Sequence, residues 1–154
     1  ILSFPGSDTA LETICRCYIE PEDKVLIPIP TYENFSVFAE SCGAEIIYYN
    51  VKKPYSFKIN ELSESIEKFK PKVIYLSTPN NPCGYIINPD EINDLCSKYQ
   101  DILFICDHAY IEFCLEYDCT KLTKKNSNLS NIKIESAIEV MDILKEMFKD
   151  AKKI

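Results

Sequence analysis

Four short runs carry apolar residues at strand-like spacing: Lys24–Ile29 (KVLIPI), Ala44–Val51 (AEIIYYNV), Lys72–Ser77 (KVIYLS) and Ile102–Cys106 (ILFIC). All but the second are nearly continuous in apolar residues, as strands covered on both faces of a parallel sheet are. Between them the period changes to that of helices. Thr9–Ile19 sets Leu11, Ile14, Cys15 and Tyr18 on one face, and Thr31–Cys42 carries Phe35, Phe38 and Ala39. Glu61–Phe69 carries Leu62, Ile66 and Phe69, and Pro89–Tyr99 carries Ile92, Leu95 and Cys96. Asn88 before Pro89 supplies an N-cap and a first-turn proline. Helix and strand in alternation predict an α/β fold, a mostly parallel sheet with helices on both faces and crossover connections.

The pattern changes after Tyr117. Residues 118–131 (DCTKLTKKNSNLSN) are rich in Lys, Asn and Ser and read as a loop or linker. Glu135–Lys152 then places Ile138, Met141, Ile143, Leu144 and Phe148 at mostly helical spacing, which predicts an amphipathic helix covering the sheet or a partner. The expected organisation is therefore a domain over 1–117, a polar linker over 118–134 and a helix within 135–154.

Composition narrows the function. The 154 residues are 46% hydrophobic and 27% charged, enough for a real core. A net charge of −7 argues against a general nucleic-acid or anionic-membrane binder, and no run approaches the roughly 20 apolar residues of a membrane helix. The opening Ile1-Leu2-Ser3-Phe4-Pro5-Gly6 lacks the basic start and apolar stretch of a signal peptide, so a cytoplasmic location is expected. Cysteines such as Cys15, Cys17 and Cys106 sit in apolar stretches, and the 8 cysteines read as free, buried small hydrophobes rather than as disulfides. With no C-x-x-C pair and His108 the one histidine, a zinc site is not expected.

Ligands of open parallel sheets bind beyond the carboxyl ends of the strands, and four unusual segments fall at helix starts or strand ends. GSDTAL (6–11) opens the first helix, whose free N–H groups and positive dipole end suit a phosphate. Gly6 allows close backbone approach, and Asp8 is assigned to capping because its charge would repel a phosphate. PIPTYE (28–33) brings Tyr32 to the same edge, where an aromatic ring can stack on a flat ligand. STPNNPCG (77–84) is a dense turn in which flanking prolines set the direction of an Asn side chain. Asp107 follows an apolar strand, and a carboxylate at such a low-dielectric edge needs a cation or donor. Tyr110 stands three residues on, while His108 reads as a polar neighbour. Each of these segments also has an ordinary reading as a cap, a packing tyrosine or a decorated turn.

Together, from about Ile1 to Phe113, they resemble the cofactor half of the fold-type I pyridoxal-phosphate aminotransferases, nearest to the histidinol-phosphate aminotransferase-like branch. PNNPCG (79–84) is similar to that family's PNNPTG, DHAYIEF (107–113) to its DEAYIEF, and GSDTAL to its GSDEAL. The resemblance implies pyridoxal 5′-phosphate as cofactor and 1–117 as part of the large cofactor-binding domain. It implies that Gly6, Ser7 and Asp8 cradle the phosphate with backbone N–H groups and that Tyr32 stacks on the pyridine ring. Asn81 and Tyr110 would donate to the phenolic oxygen, and Asp107 would pair with the protonated ring nitrogen. It further implies a small amino acid or amino phosphate and a 2-oxo acid as substrates, and a homodimer. A phospho-amino-acid decarboxylase of the same superfamily would carry the same motifs.

The family's covalent cofactor lysine, expected in a Ser-Lys pair after the aspartate motif, has no counterpart there. Lys133 is the nearest lysine, without the flanking signature. Arg16 is the one arginine, so no arginine is placed to clamp a substrate carboxylate. The expectation is a truncated member with a replaced tail from about Asp118, inactive as it stands, or else a non-catalytic module that binds the cofactor or a partner.

Overall fold

A computed structural model describes residues 2–52 and 57–133. The helix expected over Glu135–Lys152 lies outside the described residues. Five strands form one sheet: β1 (Lys24–Ile29), β2 (Glu45–Asn50), β3 (Val73–Ser77), β4 (Leu103–His108) and β5 (Leu129–Lys133). All neighbours are parallel, in the order β2-β1-β3-β4-β5. The continuous apolar runs became the central strands, and β3 is buried at every position. The run that alternates became β2, an edge strand with Tyr48 exposed.

Helices cover both faces, as expected. On one face α1 (Ser7–Tyr18) and α2 (Asn34–Ser41) bury Leu11, Cys15, Phe35 and Ala39 against Val25, Ile27, Tyr75 and Ile105. On the other, α3 (Leu62–Phe69) and α4 (Pro89–Lys98) bury Leu62, Ile66, Ile92 and Leu95 against Leu26, Ile74, Leu76 and Phe104. Asn88 caps α4 through a reciprocal pair with Glu91, with Pro89 in the first turn. Tyr18, expected on the buried stripe of α1, is exposed, because the chain leaves the helix there and the next residue, Ile19, fills the position.

Two boundaries differ in ways that matter for the site. α2 starts at Asn34 rather than Thr31, since Pro30 and Thr31 are held in a turn where the Pro30 carbonyl and the Thr31 hydroxyl accept from Asn80 Nδ2 at 3.3 and 3.4 Å. β4 continues through Asp107 and His108, which pair with Ser77 on one side and with Ile132 and Lys133 on the other. Asp107 is thus a strand residue, not one that follows the strand.

Residues 118–131, read as a loop or linker, contain a 3-10 turn over Thr120–Lys124 and most of β5. β5 escapes a pattern search because only Leu129 and Ile132 are buried in it. The polar residues of the segment are used for docking. Asn128 Nδ2 donates to the carbonyls of Cys96, Tyr99 and Ile102, each at 3.1 Å. Asn126 Nδ2 reaches Asn93 Oδ1 at 3.2 Å, and Asn131 Nδ2 donates to Thr120 Oγ1 at 2.8 Å.

Candidate functional site

The order of strands reverses between β1 and β3, and ligands of open α/β sheets settle at the carboxyl edge beside such a point. The start of α1, the turns after β1 and β3, and the end of β4 converge there.

Gly6 is the N-cap of α1, with φ 101° and ψ 159°, a backbone region that essentially only glycine occupies. A Cβ placed on it would meet nothing within 4 Å, so the helix start is open. The first N–H groups of a helix have no intrahelical acceptor, and no side chain caps this end. Asp8 does not serve as the cap expected of it. It is the second helical residue, and its carboxylate accepts from the Tyr32 hydroxyl, at 3.1 Å to each oxygen, and from Asn34 Nδ2 at 3.0 Å. Asn34 Nδ2 also donates to the Tyr32 oxygen at 2.7 Å. The charge of Asp8 is therefore engaged by two donors. Burial, then the bond to Asp8, holds the Tyr32 hydroxyl above its ordinary pKa, so it stays a donor.

In the turn after β3 the two asparagines divide the work. Asn80 is buried and builds the turn: its Oδ1 accepts from Cys83 N at 3.0 Å, and its Nδ2 reaches the Tyr85 hydroxyl at 3.1 Å. Gly84, at φ 69°, closes the turn by donating to the Asn80 carbonyl. Asn81 faces outward, and its Nδ2 donates to the Tyr110 hydroxyl at 3.4 Å. A shallow cavity of about 280 Å³ lies between this turn and the side chains of Tyr110 and Phe113.

Asp107 is 4% exposed. The Tyr75 hydroxyl donates to Oδ2 at 2.6 Å and the Ala109 N–H to Oδ1 at 3.0 Å. Burial raises its carboxyl above the ordinary pKa against the pull of these two bonds. Among the described residues no lysine or arginine stands within 4.0 Å of it. A buried carboxylate with two neutral donors and no cation suits a cationic ligand atom at the sheet edge.

His108 and Lys133 belong to the other face. His108 is fully buried, with Nε2 3.4 Å from Cys119 Sγ and Nδ1 3.7 Å from Asp118 Oδ1. The Cys119 thiol is pushed below its ordinary pKa by a hydrogen bond with Cys106 and, against its burial, by His108. Lys133 stands opposite His108 in the register, and its Nζ is 3.7 Å from the same Asp118. The structure therefore draws Asp8 and Tyr32 together, and Asn81 and Tyr110 together, at the edge that Asp107 faces. It sets Lys133 apart from them. Two residues of the constellation, Tyr75 and Asn34, were not singled out in the sequence. Tyr75 carried a faint signal, a hydroxyl inside the otherwise apolar run VIYL, but its target is on another strand.

The sequence profile of the family described as aminotransferase class I and II matches residues 1–136. The chain belongs to the class I and II aminotransferases. A histidinol-phosphate aminotransferase of Methanococcus aeolicus is 38% identical over 127 residues, 80% of this chain and 34% of that protein. One of Methanocaldococcus jannaschii is 38% identical over 132 residues, 84% of this chain and 35% of that protein. Among solved structures, the histidinol-phosphate aminotransferase of Sinorhizobium meliloti in complex with pyridoxal-5′-phosphate superposes with a TM-score of 0.74. It covers 83% of this chain and 35% of that one at 18% identity, which speaks for the aminotransferase fold. The chain spans about a third of the length of the relatives it matches. The family match also continues past Phe113 to residue 136, which overturns the expectation of a replaced tail from about Asp118. The stretch through β5 is the family's own.

Proposed function

We propose that this chain provides the cofactor-holding part of an aminotransferase that uses pyridoxal 5′-phosphate to move an amino group between a small amino acid or amino phosphate and a 2-oxo acid. The observation that carries the reading is Asp107, a buried carboxylate held by two neutral donors with no cation beside it. A protonated pyridine nitrogen supplies the missing charge. The other residues fit the rest of the group. The open start of α1 offers the N–H groups of Gly6, Ser7 and Asp8 to a phosphate, with the Asp8 carboxylate engaged by Tyr32 and Asn34. Tyr32 lends its ring as a stacking face, and Asn81 and Tyr110, already within hydrogen-bond distance of each other, both donate to a ring oxygen. When bound, the cofactor is an electron sink for the bond broken at the substrate's α-carbon. Asp107 keeps the ring nitrogen protonated, which that role requires.

The substrate branch suggested by the relatives is histidinol phosphate, and the site of action is the cytoplasm, with a second copy of the protein as partner. By itself this chain holds the cofactor reversibly and does not turn over: no lysine after the aspartate motif carries the family's Ser-Lys signature, and Lys133 is paired with Asp118 on the opposite face. Titration with pyridoxal 5′-phosphate, followed by absorbance and calorimetry, should saturate. Asp107→Ala should weaken the binding tenfold or more, the effect of losing about 1.4 kcal/mol from a charge-assisted pair. A folded chain that shows no saturation, or a variant with the same dissociation constant, overturns the reading.

A further inference from the structure

Tyr75 sits in the middle of β3, fully buried, with its ring stacked on Phe35 at 4.2 Å between centroids and 9° between planes. Its register partner on β4 is Ile105, so Asp107 is the next residue along β4 on the same face. The Tyr75 hydroxyl extends along that face and meets Oδ2 at 2.6 Å. Ala109 N–H holds the other oxygen at 3.0 Å. One donor on each oxygen fixes both the position and the rotation of the carboxylate. Among the described residues Tyr75 is the one side chain that donates a hydrogen bond to it.

We propose that Tyr75 is a positioning residue of the site: by donating to Oδ2 it anchors the Asp107 carboxylate as an anion and leaves its remaining lone pairs aimed at the carboxyl edge of the sheet, for the cationic nitrogen of the bound ring. The identity of that cation rests on the reading above; the hold of Tyr75 on Asp107 does not.

The groups that bear on the charge of Asp107 act in both directions. Its strand neighbours Cys106 and His108 point to the opposite face, and His108 favours the anion. From α1 comes Asp8, a like charge that disfavours it, and from the turn before α2 comes the Tyr32 hydroxyl. From β3 comes Tyr75. Burial works against ionisation, and the Tyr75 hydrogen bond is the largest opposing influence. Tyr75 is suited to this because burial and the charge of Asp107 push its own ionisation far above neutral pH, so it stays a donor. Phenylalanine at this position would keep the ring and its stack on Phe35 and remove only the donor. The carboxyl would then take up a proton at higher pH, and a neutral carboxyl does not pair with a cation.

The test uses the chain without any ligand first. Carbon-13 labelling of aspartate carboxyls allows Asp107 to be titrated by NMR in the wild type and in Tyr75→Phe, with Asp107→Asn assigning the signal. The midpoint should rise by about one pH unit, the size expected for one lost hydrogen bond to a charged group. Phe35→Leu, which loosens the stack and keeps the hydroxyl, separates packing from donation and should leave the midpoint in place. The second arm measures the dissociation constant of pyridoxal 5′-phosphate against pH. The acid limb of binding should move up by the same amount in Tyr75→Phe, with affinity recovered at higher pH. An unchanged Asp107 midpoint, or an equal shift in Phe35→Leu, overturns the proposal. A shifted midpoint in a chain that binds no cofactor supports the hold of Tyr75 on Asp107 and sinks the cofactor reading instead.

Discussion

Asp107 is a buried carboxyl whose charge works against the fold that carries it. Its carboxyl is raised by burial, so the folded chain binds that proton more tightly than the unfolded chain does. Stability therefore falls as pH rises from the ordinary carboxylate range through the raised value, and it is fully retained only below that range. Asp107→Asn keeps the shape and an acceptor for Tyr75 and removes the titration. In urea unfolding between pH 3 and 7 the variant should gain on the wild type as pH rises. Parallel curves would mean that the anion is fully compensated in place. Around it, each polar residue has one assignment: Asn80 builds the turn, Asn81 donates to the Tyr110 hydroxyl, and Asp8 is held by Tyr32 and Asn34.

At the scale of elements, α4 is tied down at both ends by side chains, and the two ends differ. Asn88 caps the start where water also has access, with Oδ1 accepting from Asp90 N at 2.9 Å. Asn128, arriving from the segment before β5, gathers three carbonyls at the other end in a partly buried position. Asn88→Ala should cost about 1 kcal/mol. Asn128→Ala should cost more, up to about 3 kcal/mol, because buried carbonyls lose their donor without gaining water. Chemical denaturation of the two variants decides it, and a larger loss for Asn88→Ala would show that the segment before β5 contributes little to the fold. β4 depends on β5 in turn: Asp107 is held in regular strand geometry because Ser77 and Ile132 pair on either side of it.

For the whole molecule, the sheet separates two chemistries. The face under α1 and α2 carries Tyr75 and Asp107, and the opposite face carries His108, Cys119, Asp118 and Lys133. On the proposed reading, a lysine that bonds covalently to the cofactor has to reach the first of these, and Lys133 is committed to the second. Borohydride reduction of the chain mixed with pyridoxal 5′-phosphate, followed by peptide mapping, should therefore give scattered, substoichiometric labelling of surface lysines. Aminotransferase turnover should be absent. A single stoichiometric adduct, with turnover that vanishes when that lysine is replaced, would show that this chain carries the full catalytic apparatus.

The sequence by itself determined the architecture and the polar edge. Short continuous apolar runs rich in β-branched and aromatic residues, such as VIYL, read as covered strands, and the helical stripes at Leu11, Phe35, Ile66 and Ile92 supply the cover. The motifs at Gly6 and Asn81 stood out because turns and helix starts draw on few residue types, and Asp107 stood out as a carboxylate at the end of an apolar run. Only the tertiary structure decided the pairings. That Asp8 meets Tyr32 and Asn34 instead of capping its own helix depends on how α1 lies beside the turn after β1. That Tyr75 holds Asp107 depends on the register between β3 and β4. That residues 129–133 form a strand depends on an edge of β4 waiting to be filled, which two buried side chains could not announce. Hydrophobic burial is written along the chain residue by residue, whereas a hydrogen bond between distant residues exists only once the strands that carry them are side by side.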